Sequence, residues 1–211
     1  IASDGGPMYV HREFITKHGL VPQGISADLI ASKFGYNRTQ LDEFAARSHA
    51  KADVAWNEGR FGKSIIPVKG ADGDVLLDRD QVIRPGTTAE GLSKLRPAFR
   101  SEGGTVTAGN ASGLNDGAAA TIVASEDAVK KYNLKPLARI VSSAVVGVEP
   151  RIMGIGPVGA TNLALKRAGL TLDDMDILEF NEAFAAQALA NMKMFGSDKF
   201  AQEKLGRSKA I

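Results

Sequence analysis

In the first half of the chain, apolar residues recur at helical spacing and stop at glycines. Leu29, Ile30 and Phe34 follow Ser26, which is expected to cap a helix that Gly35 ends. A second helix is predicted from about Arg38, with Leu41, Phe44, Ala45, Ala52 and Trp56 along one side and Gly59 closing it. Before them, residues 1–24 read as an irregular lead-in punctuated by Gly5, Gly6, Pro7, Gly19, Pro22 and Gly24, with one short helical piece from His11 to His18. Ile65, Ile66 and Val68 face Val75, Leu76 and Leu77 across the turn-forming G-A-D-G-D, which predicts a β-hairpin. Residues 1 to about 100 are therefore expected to form an α+β region of their own.

The pattern changes beyond residue 100. A small-residue strand at Thr105–Gly109 runs into G-N-A-S-G-L-N-D-G, and continuous apolar runs at 118–124, 137–148 and 176–180 read as strands. Helices are predicted between and after them: Glu126–Tyr132, then Pro157 to Gly169, then one bearing Phe184, Ala188, Met192 and Phe195 that stops at Gly196. Thr171 and Asp174 make a capping pattern before the last strand. Strands alternating with helices predict βαβ units, a parallel sheet and an α/β fold, and near-continuous apolar strands imply helices on both faces. Repeats and low-complexity segments are absent from the sequence.

Two stretches carry candidate chemistry. Asn181 stands where the apolar run 176–180 meets the following helix, so its amide either caps that helix or faces a ligand at the carboxyl end of a strand. Gly109–Gly117 holds three glycines, two asparagines, a serine and an aspartate, and is either a tight structural loop or a place where a ligand approaches the backbone. It matches neither a phosphate-cradling G-x-x-x-x-G-K loop nor a dinucleotide G-x-G-x-x-G.

Composition narrows the classes. The 211 residues are 44% hydrophobic and 24% charged, as in ordinary globular domains, and the formal charge of +2 with no basic run gives no reason to expect nucleic acid. With no cysteine, the chain has no disulfide framework, no cysteine-ligated metal and no cysteine nucleophile of its own. No metal site is expected: His11, His18 and His49 lack ligand spacing and read as surface or loop-domain residues. No apolar run reaches membrane-span length and the first residues, I-A-S-D-G-G-P, lack signal-peptide character, so a cytoplasmic or organelle-matrix protein with no membrane partner is expected. The initial Ile suggests a fragment.

D-I-L-E-F-N-E-A-F-A-A-Q and T-A-G-N-A-S-G-L-N-D-G-A-A-A resemble signatures of the thiolase family. V-P-Q-G-I-S-A-D-L-I-A, S-H-A-K-A-D-V-A-W-N-E-G-R-F, D-R-D-Q-V-I-R-P-G-T-T and K-L-R-P-A-F follow the order of thiolase segments, so the resemblance covers nearly the whole chain. It implies a layered αβαβα fold, here partial, with residues 1–112 as the loop domain, 113–135 as the return into the N-terminal catalytic domain and 136–211 as the first part of the C-terminal catalytic domain. The activity it implies is that of an acyl-CoA C-acyltransferase acting in fatty-acid metabolism. Coenzyme A and acyl-CoA would be substrates, no permanent cofactor would be bound, and the complete protein would be a homodimer or homotetramer.

The same resemblance gives residues roles. Asn181 would hold a water in an oxyanion hole, Arg84 would lie against the CoA adenine, and Ser112 would hydrogen-bond the pantetheine arm. Ala108, Gly113, Ala183 and Phe184 would line that arm or the reaction pocket. Pro22 and Gln23 stand where short-chain biosynthetic thiolases carry a His-Met pair, which favours a catabolic 3-ketoacyl-CoA thiolase. The family's two cysteines and its G-H-P histidine have no counterpart in these residues. The alternatives are a non-catalytic acyl-CoA or lipid-binding relative, a subunit of a larger complex, or a ketoacyl synthase, which typically has histidine where N-E-A-F stands.

Overall fold

Asn37 and Gln40 close a capping box, each side-chain oxygen accepting from the other's backbone N–H at 3.0 Å, and this starts the longest helix of the molecule as described. The structure is a computed structural model that describes residues 11–197. Its helices are α1 (Arg12–His18), α2 (Gln23–Phe34), α3 (Arg38–Asn57), α4 (Ala89–Ser93), α5 (Glu126–Lys131), α6 (Gly156–Ala168) and α7 (Ala185–Phe195). Short 3-10 turns at Pro150–Ile155 and Leu172–Asp174 precede and follow α6. Strands β1 (Val68–Lys69) and β2 (Val75–Leu77) pair antiparallel as the expected hairpin, shorter than expected, since Ile65 and Ile66 lie before the first strand.

Most helix ends follow the expected chemistry. Gly35 and Gly169 sit at φ of 72° and 70°, the left-handed conformation that lets the last carbonyls of α2 and α6 be satisfied. Thr171 and Asp174 form their capping box, although it opens a 3-10 turn. Ser26 does not cap α2. That helix starts a turn earlier, after Pro22, and Ser26 lies inside it, 2% exposed, with its hydroxyl oxygen unpartnered. The glycines expected at positions 5 and 6 to break the lead-in fall outside the described residues.

The core is built on α7, whose Ala185, Ala186, Ala188 and Ala190 are all nearly fully buried. Small residues let backbones approach closely. Ala27 and Ala31 of α2, Leu41 of α3 and Val106 close one cluster with Ala185 and Ala186. Val158, Leu172, Met194 and Phe195 form a second, with Phe180 packed against it, and Ile30, Ile152 and Ala190 a third. Tyr36 ties α7 to the end of α2 by donating its hydroxyl to the Leu189 carbonyl at 3.0 Å, and Lys193 donates to the Phe34 carbonyl at 2.8 Å.

The runs expected as a parallel sheet form no ladder among the described residues, where the β1–β2 pair is the named sheet. Residues 105–109, 118–124, 137–148 and 176–180 carry no strand assignment. Ile122, Val145 and Ile177 are 90%, 90% and 82% exposed. A strand is stabilised by the neighbour it pairs with, and an apolar run in the sequence specifies the segment without supplying that neighbour.

Candidate functional site

A stripe of α3 at helical spacing, Asp42, Ala45, Ser48–His49 and Ala52, faces the glycine-rich loop and organises the site. Asp42 is 1% exposed and takes two partners: Arg38 Nε donates to Oδ2 at 2.7 Å and Asn110 Nδ2 to Oδ1 at 2.9 Å. The same Arg38 guanidinium reaches the Leu92 and Leu95 carbonyls at the end of α4. Asn110 also accepts from the Thr107 N–H at 2.9 Å and donates to the Thr105 carbonyl at 3.0 Å, so its side chain folds the loop around itself. On the other side, buried Asp28 of α2 accepts at Oδ1 from the Thr105 N–H (2.7 Å), the Thr105 hydroxyl (3.0 Å) and the Val106 N–H (3.0 Å). Charge-assisted bonds of this kind are among the stronger ones a loop can have. The backbone at 105–110 is thus clamped between two carboxylates.

This fixed loop pairs with the segment before α7. Ser112 donates its N–H to the Ala183 carbonyl at 2.8 Å, Ala185 donates to the Asn110 carbonyl at 3.0 Å, and Ala111 and Phe184 face each other as an isolated antiparallel bridge. A cavity lies on each side of it. The larger, about 350 Å³, is lined by Arg84, Ala108, Ser112, Gly113 and Glu182 together with Ala45, Ser48, His49 and Ala52 of α3. The smaller, about 300 Å³, is lined by Asn181, Ala183 and Phe184, and by Ser26 and Gln187, each with a buried side-chain oxygen that has no hydrogen-bond partner. All seven residues expected at a site therefore border one of two adjoining cavities.

Their local settings differ. Arg84 sits in an irregular turn and is exposed, with its N–H donated to His49 Nδ1 at 3.3 Å and its carbonyl accepting from the Thr87 hydroxyl at 2.7 Å. The Ser112 hydroxyl makes a long 3.3 Å bond to its neighbour Gly113, which leaves it able to turn toward a ligand. Asn181 is exposed and does not cap α7: the N-cap is Phe184, three residues later, because the chain stays non-helical until Phe184 has paired with Ala111. The capping alternative for Asn181 is thereby removed.

The sequence missed Asp28, Asp42, Asn110, Ser48 and His49 as parts of the site. Acidic residues on a helix read as its solvent face, and nothing local marks the two that are buried. Asn110 lay inside the glycine-rich stretch, and a candidate capping box at Asn37-x-x-Gln40 could have been read. His49, expected as a surface or loop-domain residue, is half-buried in the larger cavity's wall. His11 and His18 lie on or beside the exposed α1, against Glu13 and the Phe14 ring. No cluster of three metal-ligating side chains occurs among the described residues.

The chain is similar to known proteins over most of its length. The family model for the thiolase N-terminal domain matches residues 8–127, and that for the thiolase C-terminal domain matches residues 134–208. The chain is 56% identical over 173 residues to a 3-ketoacyl-CoA thiolase of Idiomarina loihiensis, covering 81% of this chain and 45% of that protein. It is 52% identical over 185 residues to one of Vibrio parahaemolyticus, covering 86% and 47%. Human mitochondrial 3-ketoacyl-CoA thiolase superposes with a TM-score of 0.79 at 48% identity, over 84% of this chain and 45% of that one. The same human protein in complex with CoA gives 0.78 at 47% identity, over 84% and 44%. A Bacillus anthracis acetyl-CoA acetyltransferase gives 0.77 at 42% identity, over 90% and 48%. The chain spans about half the length of the curated relatives it matches. Its fold is the thiolase fold in part, mixed in helix and strand. Two family models that together run through nearly all of the sequence, and relatives that share half of its residues, make this chain a member of the thiolase family.

Proposed function

We propose that the protein is an acyl-CoA C-acyltransferase of the 3-ketoacyl-CoA thiolase type, and that this chain supplies its coenzyme surface and one oxyanion-stabilising group. The observation that carries the reading is the Ala111–Phe184 bridge, which sets a cavity bordered by Arg84, Ala108, Ser112 and Gly113 beside one bordered by Asn181, Ala183 and Phe184. A long, polar-headed thioester needs such a pair of adjoining spaces. Arg84 offers a cation and a flat guanidinium to the nucleotide end, and the Ser112 hydroxyl and small Gly113 suit an amide-bearing arm passing close to the backbone. Asn181, released from capping, is free to orient a water toward the oxyanion that forms when a thiolate adds to the acyl carbonyl.

The thiolate itself is a cysteine in this family, and the 211 residues contain none. Binding and polarisation are therefore the tasks assigned to this chain, and by itself it should show no thiolysis. The direction is degradative: Gln23, in place of a His-Met pair, borders the acyl-side cavity. A homo-oligomer working in β-oxidation, in the cytoplasm or an organelle matrix, fits the reading; among the described residues no helix is long and apolar enough to cross a membrane. Residues 1–112 are assigned to the loop domain, 113–135 to the return segment and 136–211 to the first part of the second catalytic domain; the gap between the family models at 127 and 134 supports the later of the two boundaries.

The test is CoA binding by calorimetry with the full-length protein and its Ser112→Trp variant. Wild-type binding that the indole abolishes is expected, and equal affinity in the two would overturn the assignment. Thiolysis of acetoacetyl-CoA or a longer 3-ketoacyl-CoA by the isolated 211-residue chain would overturn the division of labour.

A further inference from the structure

We infer that Ser48 and His49, consecutive residues of α3, are the positioning pair that fixes the two walls of the coenzyme cavity, an inference that rests on the reading of that cavity as the CoA site. One wall comes from a stretch with little else to hold it, and the other from a segment that the Ala111–Phe184 bridge and the Ser112–Ala183 and Ala185–Asn110 backbone bonds already tie to the glycine-rich loop. Arg84 lies between β2 and α4 in a segment with no regular structure, where three bonds fix its main chain: His49 Nδ1 accepts its N–H at 3.3 Å, and its carbonyl accepts from the Thr87 hydroxyl at 2.7 Å and the Thr87 N–H at 3.3 Å. Among these, only the histidine bond connects the turn to a rigid element. The other wall is the segment before α7, where the Ser48 hydroxyl adds a bond to the Glu182 carboxylate.

Helix α3 suits this task because the stripe that bears the pair is anchored one and two turns earlier. Ala45 is buried at 9% exposure, and Asp42 is bonded to Asn110 and Arg38. One helix face thus sets the loop through Asp42, the Glu182 wall through Ser48 and the Arg84 wall through His49. Because Nδ1 accepts a backbone proton, the ring must carry its own proton on Nε2. The imidazole then acts as a fixed acceptor, and asparagine can place an amide oxygen near the same point whereas leucine cannot.

The experiment measures CoA affinity and steady-state kinetics of the full-length protein as wild type, His49→Leu, His49→Asn and Ser48→Ala. Loss of one hydrogen bond predicts a CoA affinity weaker by about threefold to tenfold in His49→Leu and Ser48→Ala. His49→Asn should recover most of that loss, and kcat at saturating CoA should stay within about twofold for His49→Leu because the bond acts on binding. Unchanged affinity in His49→Leu overturns the inference, and so does an equal loss in Leu and Asn, which would reduce His49 to packing. Should His49→Leu fail to fold, His49→Asn and Ser48→Ala still decide: near-wild-type affinity in Asn with a loss in Ala supports the pair, and no loss in Ala overturns it. A wild-type protein that does not bind CoA at all would overturn the coenzyme reading first and this inference with it.

Discussion

Asn110 donates its side-chain amide to the buried carboxylate of Asp42 across 68 residues of sequence, at 2.9 Å, and that one bond registers the glycine-rich loop against α3. Asn110→Ala removes this bond together with those to Thr107 and Thr105 and leaves buried polar groups unmatched. A loss of about 1–3 kcal/mol in unfolding free energy is expected, read as a lower denaturant midpoint at unchanged slope. A variant as stable as wild type would mean that the loop is held by Asp28 alone.

Asn181 separates stability from chemistry. Because the N-cap of α7 is Phe184, Asn181→Ala should leave the melting temperature within error. Turnover of 3-ketoacyl-CoA by the full-length enzyme should fall by up to about a hundredfold, the low end for a lost oxyanion donor, since the donor here would be a water. Asn181→Asp should fall at least as far, because an ionised carboxylate donates no hydrogen bond and sets negative charge beside the oxyanion. Near-normal turnover in either stable variant would remove Asn181 from the mechanism.

These two residues show what the chain discloses before it folds. Asn181 and Ser112 lie in motifs read in line, so the sequence alone singled them out, and the fold sets both on cavity walls. Asp42, Ser48 and His49 matter through partners at 110, 182 and 84, pairings that only the folded chain creates. Helix ends were legible where one residue decides them, as at Gly35 and Gly169. One was misread at Ser26, where a residue suited to capping is drawn into a cavity wall by tertiary packing, and the two roles left open for Asn181 were separated only by the fold. The apolar runs after residue 117 were legible as segments but not as a sheet, since pairing depends on a second strand.

Alkaline stability should depend on Tyr36. Burial raises its phenol above the ordinary value of 10.0, so the folded state holds the neutral form that donates to the Leu189 carbonyl. The stabilisation is complete below the unfolded value and is lost as pH rises through the raised folded one, since ionisation then favours the unfolded chain. Tyr36→Phe should cost about 0.5–1.5 kcal/mol at neutral pH, and the gap from wild type should narrow above pH about 10. Unfolding curves at pH 7, 9 and 11 for both proteins check this, and a gap that stays constant would contradict it.

The bare apolar segments at 118–124, 137–148 and 176–180 have a colloidal consequence. T-I-V-A and V-S-S-A-V-V-G-V are short, β-prone and uncharged, and an exposed segment outside any ladder is a template for another molecule's strand. In a concentrated solution of this chain alone, such segments should recruit one another into fibrillar cross-β stacks. Thioflavin T fluorescence and an infrared amide I band from intermolecular sheet should grow with concentration and time. Replacing Val145 and Val146 by lysine would place charge in the stack and should delay both signals, so the same apolar runs that form no ladder among the described residues are expected to set how concentrated this chain can become.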